Sequence, residues 1–166
     1  MATVTLTRAV LAKTESGNEP LVINYPEAAS QTFVKGEFVY LNGGYVTECG
    51  DNPTTILGMA MDDAHNDSSA GTHKVGVAVF SDNTILEMNK VDTSDSGLAT
   101  AYSDVGKTFG IYRDTTDSQV HAVYNSTSPR LICIGLSGSD QVGDTGGRLL
   151  LRVIGTYRQL SSTSGG

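Results

Sequence analysis

Residues 33–64 read FVKGEFVYLNGGYVTECGDNPTTILGMAMDDA, and this stretch decides the fold. From Phe33 to Leu41 aromatic and β-branched residues dominate, which predicts a strand. Asn42-Gly43-Gly44 then offers residues that accept positive φ cheaply, as a tight hairpin turn requires. Tyr45 to Cys49 alternates outward and inward and reads as the returning strand. A polar turn, Gly50-Asp51-Asn52-Pro53, leads into Ile56-Leu57-Gly58-Met59-Ala60-Met61, a run too short and too apolar for an exposed helix. The expectation is a three-strand meander whose last strand is buried. No catalytic constellation is visible here or elsewhere in the chain.

Working outward, the same signals recur. Residues 3–11, TVTLTRAVL, alternate threonine with apolar residues and read as a strand. Residues 13–32 hold Pro20 and Pro26 and read as a long loop with one short strand at Leu21-Val22-Ile23. Val75 to Phe80 is apolar on both faces and predicts a central, doubly covered strand. Further strands are expected at 84–91, 109–112, 120–124, 131–136 and 148–154, with a single helical turn at Leu98 to Ala101. About nine or ten short strands separated by turns, without an amphipathic helix, predict an all-β chain folded as a single compact barrel or sandwich. The expected organisation is an N-terminal strand or arm at 1–12, one β domain at 13–160, and a flexible SSTSGG tail at 161–166.

Composition narrows the function classes. A chain of 166 residues with 39% apolar content is long enough to bury one core. Its charged fraction is 17%, below the roughly 25% of average soluble domains. The net charge of -7 and the scatter of its basic residues argue against binding nucleic acid through phosphates. No run approaches the roughly 20 apolar residues that span a bilayer, and the first residues lack the pattern of a signal peptide, so no membrane partner is expected. Cys49 and Cys133 permit one bridge, but buried free thiols are the preferred reading.

Several motifs invite a chemical reading and fail it. Ala101-Tyr102-Ser103-Asp104-Val105-Gly106-Lys107-Thr108 satisfies a relaxed phosphate-loop pattern, yet a strand rather than a helix is expected to follow, so it reads as a turn. Ser137 in GLSGS lacks the last glycine of a nucleophile elbow and the α/β sheet that elbow needs. Asp62, Asp63, His65, Asn66 and Asp67 gather oxygens of the kind Ca²⁺ takes, but without the spacing or turn glycine of an EF-hand; a solvated loop is the preferred reading. His65, His73 and His121 show no zinc spacing. No cofactor, metal or catalytic residue is assigned, and no enzyme activity is expected.

The order of signals in 33–80 resembles the small capsid cement (head decoration) proteins of tailed bacteriophages. That family's pattern is roughly F-x-x-G-(D/E)-x-V-x-L, then G-x-V, then I-L-G-x-A. It is met here by Phe33, Gly36, Glu37, Val39 and Leu41, by Gly44 and Val46, and by Ile56, Leu57, Gly58 and Ala60, with Val75 to Phe80 as the next strand. The resemblance covers about Phe33 to Phe80, under half the chain; residues 81–166 match nothing in it. It implies a structural virion protein, made in the host cytoplasm, that binds the outer surface of an icosahedral shell and bridges capsomers. Its partners would be the major capsid protein and further copies of itself, with a trimer favoured. Residues 2–7 are expected to form a contact arm, with Thr3, Val4, Thr5 and Leu6 touching the shell. A chain starting at Thr14 is then expected to fold and to bind poorly; otherwise the loops at 62–74 and 137–147 would carry the contact. The alternative is a soluble β-rich adhesion or fibre-associated module binding a glycan or receptor, against which the absence of Trp and 7% aromatics weigh.

Overall fold

The computed structural model describes residues 2–12, 17, 19–124 and 127–160. The SSTSGG tail and the Asn125-Ser126 step lie outside them. The chain is all-β, as the alternation and turn chemistry predict. Its strands are β1 (Val10–Leu11), β2 (Val22–Pro26), β3 (Phe38–Asn42), β4 (Tyr45–Glu48), β5 (Gly58–Ala60), β6 (Lys74–Val79), β7 (Leu86–Val91), β8 (Thr108–Asp114), β9 (Gln119–Val123), β10 (Leu131–Leu136) and β11 (Arg148–Val153). Two single-turn 3₁₀ helices, at Tyr102–Asp104 and Gly155–Tyr157, complete the set.

The strands form two sheets. One runs β1-β7-β11-β10-β8-β9 and closes on itself, because β7 also pairs in parallel with β9 at Lys90↔Ala122 and Val91↔Val123. The result is a five-stranded barrel carrying β1 as an extra strand. The other sheet runs β2-β6-β5-β3-β4, and Glu27 beyond β2 bridges Val46 of β4. That bridge leaves the far end of β2 tied to the opposite edge of its own sheet.

The two sheets share a wall. Phe38 of β3 and Met59 of β5 face the larger core with Phe80, Leu86, Phe109, Ile111, Leu131 and Leu149. Their neighbours Val39 and Ala60 face the smaller core with Phe33, Val46, Leu57, Val75 and Val77. The period-two alternation of a strand thus feeds two apolar clusters at once, which is why this run shows so few polar positions. The ring of Phe38 meets that of Phe80 edge-on at 5.2 Å. Across the same wall, Arg113 Nε donates to the buried Glu37 carboxylate at 2.6 Å and Arg113 Nη2 reaches Glu48 at 3.2 Å.

Four expectations change. The helical turn expected at Leu98 to Ala101 lies at Tyr102–Asp104 instead, and Ala99 forms an antiparallel bridge with Thr145. Phe33 to Glu37 is not strand: Gly36 takes φ +96°, Glu37 N–H donates to the Val34 carbonyl, and the Glu37 carboxylate accepts the Val34 N–H. The meander is not sequential either, because β5 pairs with β3 instead of β4. Residues 50–56 explain this by crossing the closed barrel and the turn after β11, where Asn52 N–H bonds Ile111 O, Asp51 accepts from Arg113 N–H and Ile56 N–H bonds Tyr157 O. The chain therefore re-enters its own sheet on the far side of β3. The predicted strand at 3–11 reduces to Val10–Leu11, with its earlier part extended but outside the sheet.

Candidate functional site

The predicted contact residues lie along the loop that precedes β11. Ala2 N–H donates to Asp144 Oδ1 at 3.0 Å, Thr145 N–H to the Ala2 carbonyl at 3.0 Å, and Val4 N–H to the Thr145 carbonyl at 2.8 Å. Thr3 forms a parallel bridge with Thr145. Thr7 N–H then caps this run on Asn89 Oδ1 at 2.9 Å, while Asn89 Nδ2 holds the Gly146 carbonyl at 2.6 Å. Asn89 is fully buried, and its amide satisfies both the segment and the loop. The arm is therefore laid on its own subunit. Thr3 and Thr5 are exposed, whereas Val4 and Leu6 are half-buried.

Gly146 permits this closeness. It has φ +73°, and a Cβ there would stand 3.0 Å from the Val4 carbonyl oxygen and 3.2 Å from Leu6 Cδ2. The loop beneath is itself fixed by charge-assisted bonds. Arg148 Nε and Nη2 reach the Asp140 carboxylate at 2.9 and 3.1 Å, and Arg148 N–H reaches it at 2.9 Å. These bonds hold the Asp140 carboxyl below its ordinary value of 3.8, against the opposing effect of burial. Ser137 and Ser139 both donate to Glu87. Ser137 is thus a buried loop anchor. The structure brings together two surfaces that sequence reading treated as rivals, residues 2–7 and the loop 137–147.

The other loop, 62–74, belongs to the five-stranded sheet, and its acids are engaged by neighbouring backbone and by its own His73. Asp62 accepts from Gly76 N–H at 3.1 Å and Asp63 from Lys35 N–H at 2.8 Å. His65 Nδ1 lies 2.7 Å from the buried Glu27 carboxylate, and His73 Nδ1 bonds Asp67. The two imidazoles stack with centroids 4.1 Å apart and planes 4° from parallel. Among the described residues no group of three His, Cys, Asp or Glu side chains is placed to hold a metal. The role of Glu27 was illegible in sequence, since it lies 38 residues from His65.

The phosphate-loop look-alike is a turn before a strand. Its amides point inward: Ala101 N–H to Asp104 Oδ2, Gly106 N–H to the Cys133 carbonyl, Lys107 N–H to the Asp104 carbonyl. Asp104 is buried and paired through both oxygens with Lys90 Nζ at 2.9 and 3.0 Å, and β8 follows directly. His121 is fully buried between Asp95 and Gln119. Cys49 and Cys133 are free and buried. Burial pushes the Cys49 thiol up to about 12, Arg113 opposing and Glu48 reinforcing the shift.

Comparison of the chain with protein-family models, with curated proteins and with solved structures finds no match in any of the three.

Proposed function

We propose that this chain is a structural virion protein that decorates the outer surface of an assembled icosahedral phage capsid and stabilises it by bridging capsomers. The observation that supports this reading is the joint surface of residues 2–7 and 137–147. It is an extended segment with Thr3 and Thr5 turned outward, held in place by a buried asparagine and a charge-clamped loop. Such a surface offers backbone and hydroxyl groups in a fixed geometry, so little ordering cost opposes docking. The cement-protein resemblance of 33–80 supplies the partner, the major capsid protein. Binding only the assembled shell lowers the free energy of that state by mass action. Several copies around a local symmetry axis, a trimer being favoured, would multiply a weak contact. The net charge of -7 suits the outside of the shell better than the side that faces the packaged genome.

The test is co-sedimentation of the purified chain with expanded shells of the phage whose major capsid gene neighbours this one. The full-length chain should pellet saturably. Thr3→Arg combined with Thr5→Arg, which alters only exposed positions, should weaken binding at least about tenfold, roughly 1.4 kcal/mol. Binding unchanged by the double substitution would move the contact elsewhere, and no binding of the full-length chain would overturn the reading.

A further inference from the structure

Among the described residues, the outer edge of β2 is open. Leu21, Val22 and Ile23 are 64%, 50% and 37% exposed, three consecutive large aliphatic residues, and Asn24 after them is exposed as well. Residues 21–24 are therefore open on both faces. Their register against β6 fixes which main-chain groups are used. Val79 N–H bonds the Leu21 carbonyl and Glu27 N–H bonds the His73 carbonyl, so the odd-numbered residues of β2 face β6. Gly76, opposite Asn24, turns its carbonyl away to Met61 N–H, which agrees with this register. The N–H and C=O of Val22 and Asn24 consequently point outward, with no strand beside them among the described residues.

Exposed edges are normally blunted by lysine, by inward charge, by a bulge or by cover. None of these operates between Leu21 and Asn24. Instead the edge is bounded at both ends by residues that lack an N–H, Pro20 and Pro26, which stop a ladder from running on. The opposite edge of the sheet is closed by the Glu27–Val46 bridge, so open-ended stacking through this sheet is blocked.

We infer that β2 pairs with β2 of a second copy of this chain, antiparallel and two-fold, centred on Ile23. In that register Val22 N–H donates to the carbonyl of Asn24 of the partner subunit, Asn24 N–H donates to the carbonyl of Val22 of the partner subunit, and the two-fold repeats both bonds. A second copy fits better than a foreign strand because of charge. A two-fold axis sets each group near its own like, which a chain of net charge -7 tolerates only where it carries none. The segment from Pro20 to Pro26, PLVINYP, contains no charged residue between Glu19 and Glu27. Three half-exposed aliphatic side chains and a short ladder bury on the order of 800 Å² in total, below the roughly 1,200 Å² at which stable interfaces begin. The pair is therefore weak in dilute solution and is strengthened wherever copies are held side by side. This inference does not depend on shell binding.

The experiment is sedimentation velocity of the full chain from about 5 μM to about 500 μM, expecting monomer to give way to dimer with a dissociation constant on the order of 100 μM. Val22→Glu and Val22→Lys, at a half-exposed edge position, should each remove the dimer, and an equimolar mixture of the two should restore it. Hydrogen exchange of the 20–26 segment should slow at the higher concentration while exchange elsewhere in the sheet stays fixed. That readout needs no variant. A chain that stays monomeric throughout, a dimer indifferent to both substitutions, or a trimer as the first associated species would each overturn the inference.

Discussion

Replacing Gly58 by alanine probes the shared wall directly. Gly58 sits in β5 between Val39 of β3 and Val79 of β6. A Cβ built on it would lie 2.0 Å from the Ala78 carbonyl oxygen, 2.8 Å from the Ala78 carbonyl carbon and 3.0 Å from Val77 Cγ1. Ordinary carbon–oxygen contacts begin at about 3.3 Å, so β5 and β6 would have to part by more than about 1 Å. The obstacle is backbone, which cannot rotate aside as a side chain would. Overpacking of this kind costs about 1–3 kcal/mol, and losing two ladder bonds adds about 0.5–1.5 kcal/mol each. The alanine recovers about 0.4–1 kcal/mol through the unfolded chain. The net loss is about 1–5.5 kcal/mol, which for a chain of this size lowers the melting temperature by roughly 2–22 °C. Thermal and urea unfolding followed by circular dichroism measures it. Gly138→Ala, where a Cβ meets nothing within 4 Å, is the control and should leave stability unchanged or slightly raised. If Gly58→Ala melts within about 2 °C of the parent, the close approach of β5 and β6 is wrong.

The remaining predictions concern other links in the fold. Arg113→Met leaves the buried Glu37 carboxylate without its cation and should cost about 3–5 kcal/mol, much of it regained when Glu37→Gln is added; urea midpoints decide. Iodoacetamide at pH 8 should label neither Cys49 nor Cys133 in the native chain and both in urea, because burial keeps both thiols protonated; rapid native labelling would contradict that burial. Asp140 is depressed in the folded state, so its contribution is complete above its ordinary value of 3.8 and fades as pH falls through the lower folded value. Hydrogen exchange at Arg148 N–H should accordingly rise only below that pH, and loosening near neutrality would refute the clamp. A chain starting at Thr14 lacks β1 and the buried Ala9, so it should lose on the order of 3 kcal/mol of stability instead of folding as the parent does.

Strand identity was legible wherever one face or both are buried. Val75 to Ala78 are all buried, and Leu86 and Met88, with Leu149, Leu151 and Val153, enter the core as alternation requires. Segments with a local competitor were misread. Phe33 to Glu37 has strand composition, but the Glu37 side chain satisfies Val34 N–H and makes a turn cheaper than a ladder. Pairing order was not legible, because the route of residues 50–56 is set by Asn52 and Asp51 bonding a strand some sixty residues later. The candidate surface was half visible. Residues 2–7 and 137–147 each stood out, but their union depends on Asn89, a buried polar residue in β7 whose two amide ends reach partners 82 and 57 residues away. Spacing along a chain carries no information about such a bond.

The shared wall also bears on how the chain reaches its fold. Residues 22–79 contain all of the five-stranded sheet and leave the ribosome before the barrel strands β7 to β11. Until the second half arrives, Phe38 and Met59 present their apolar face to water. The closed barrel must wait longer, since β11, which follows the other barrel strands in the chain, lies between β7 and β10. β1 waits for β7, with Val10 pairing Glu87 across most of half the chain. Contacts of such separation are formed late and slowly. That apolar face therefore stays exposed, and open to association, until the strands that cover it have been made.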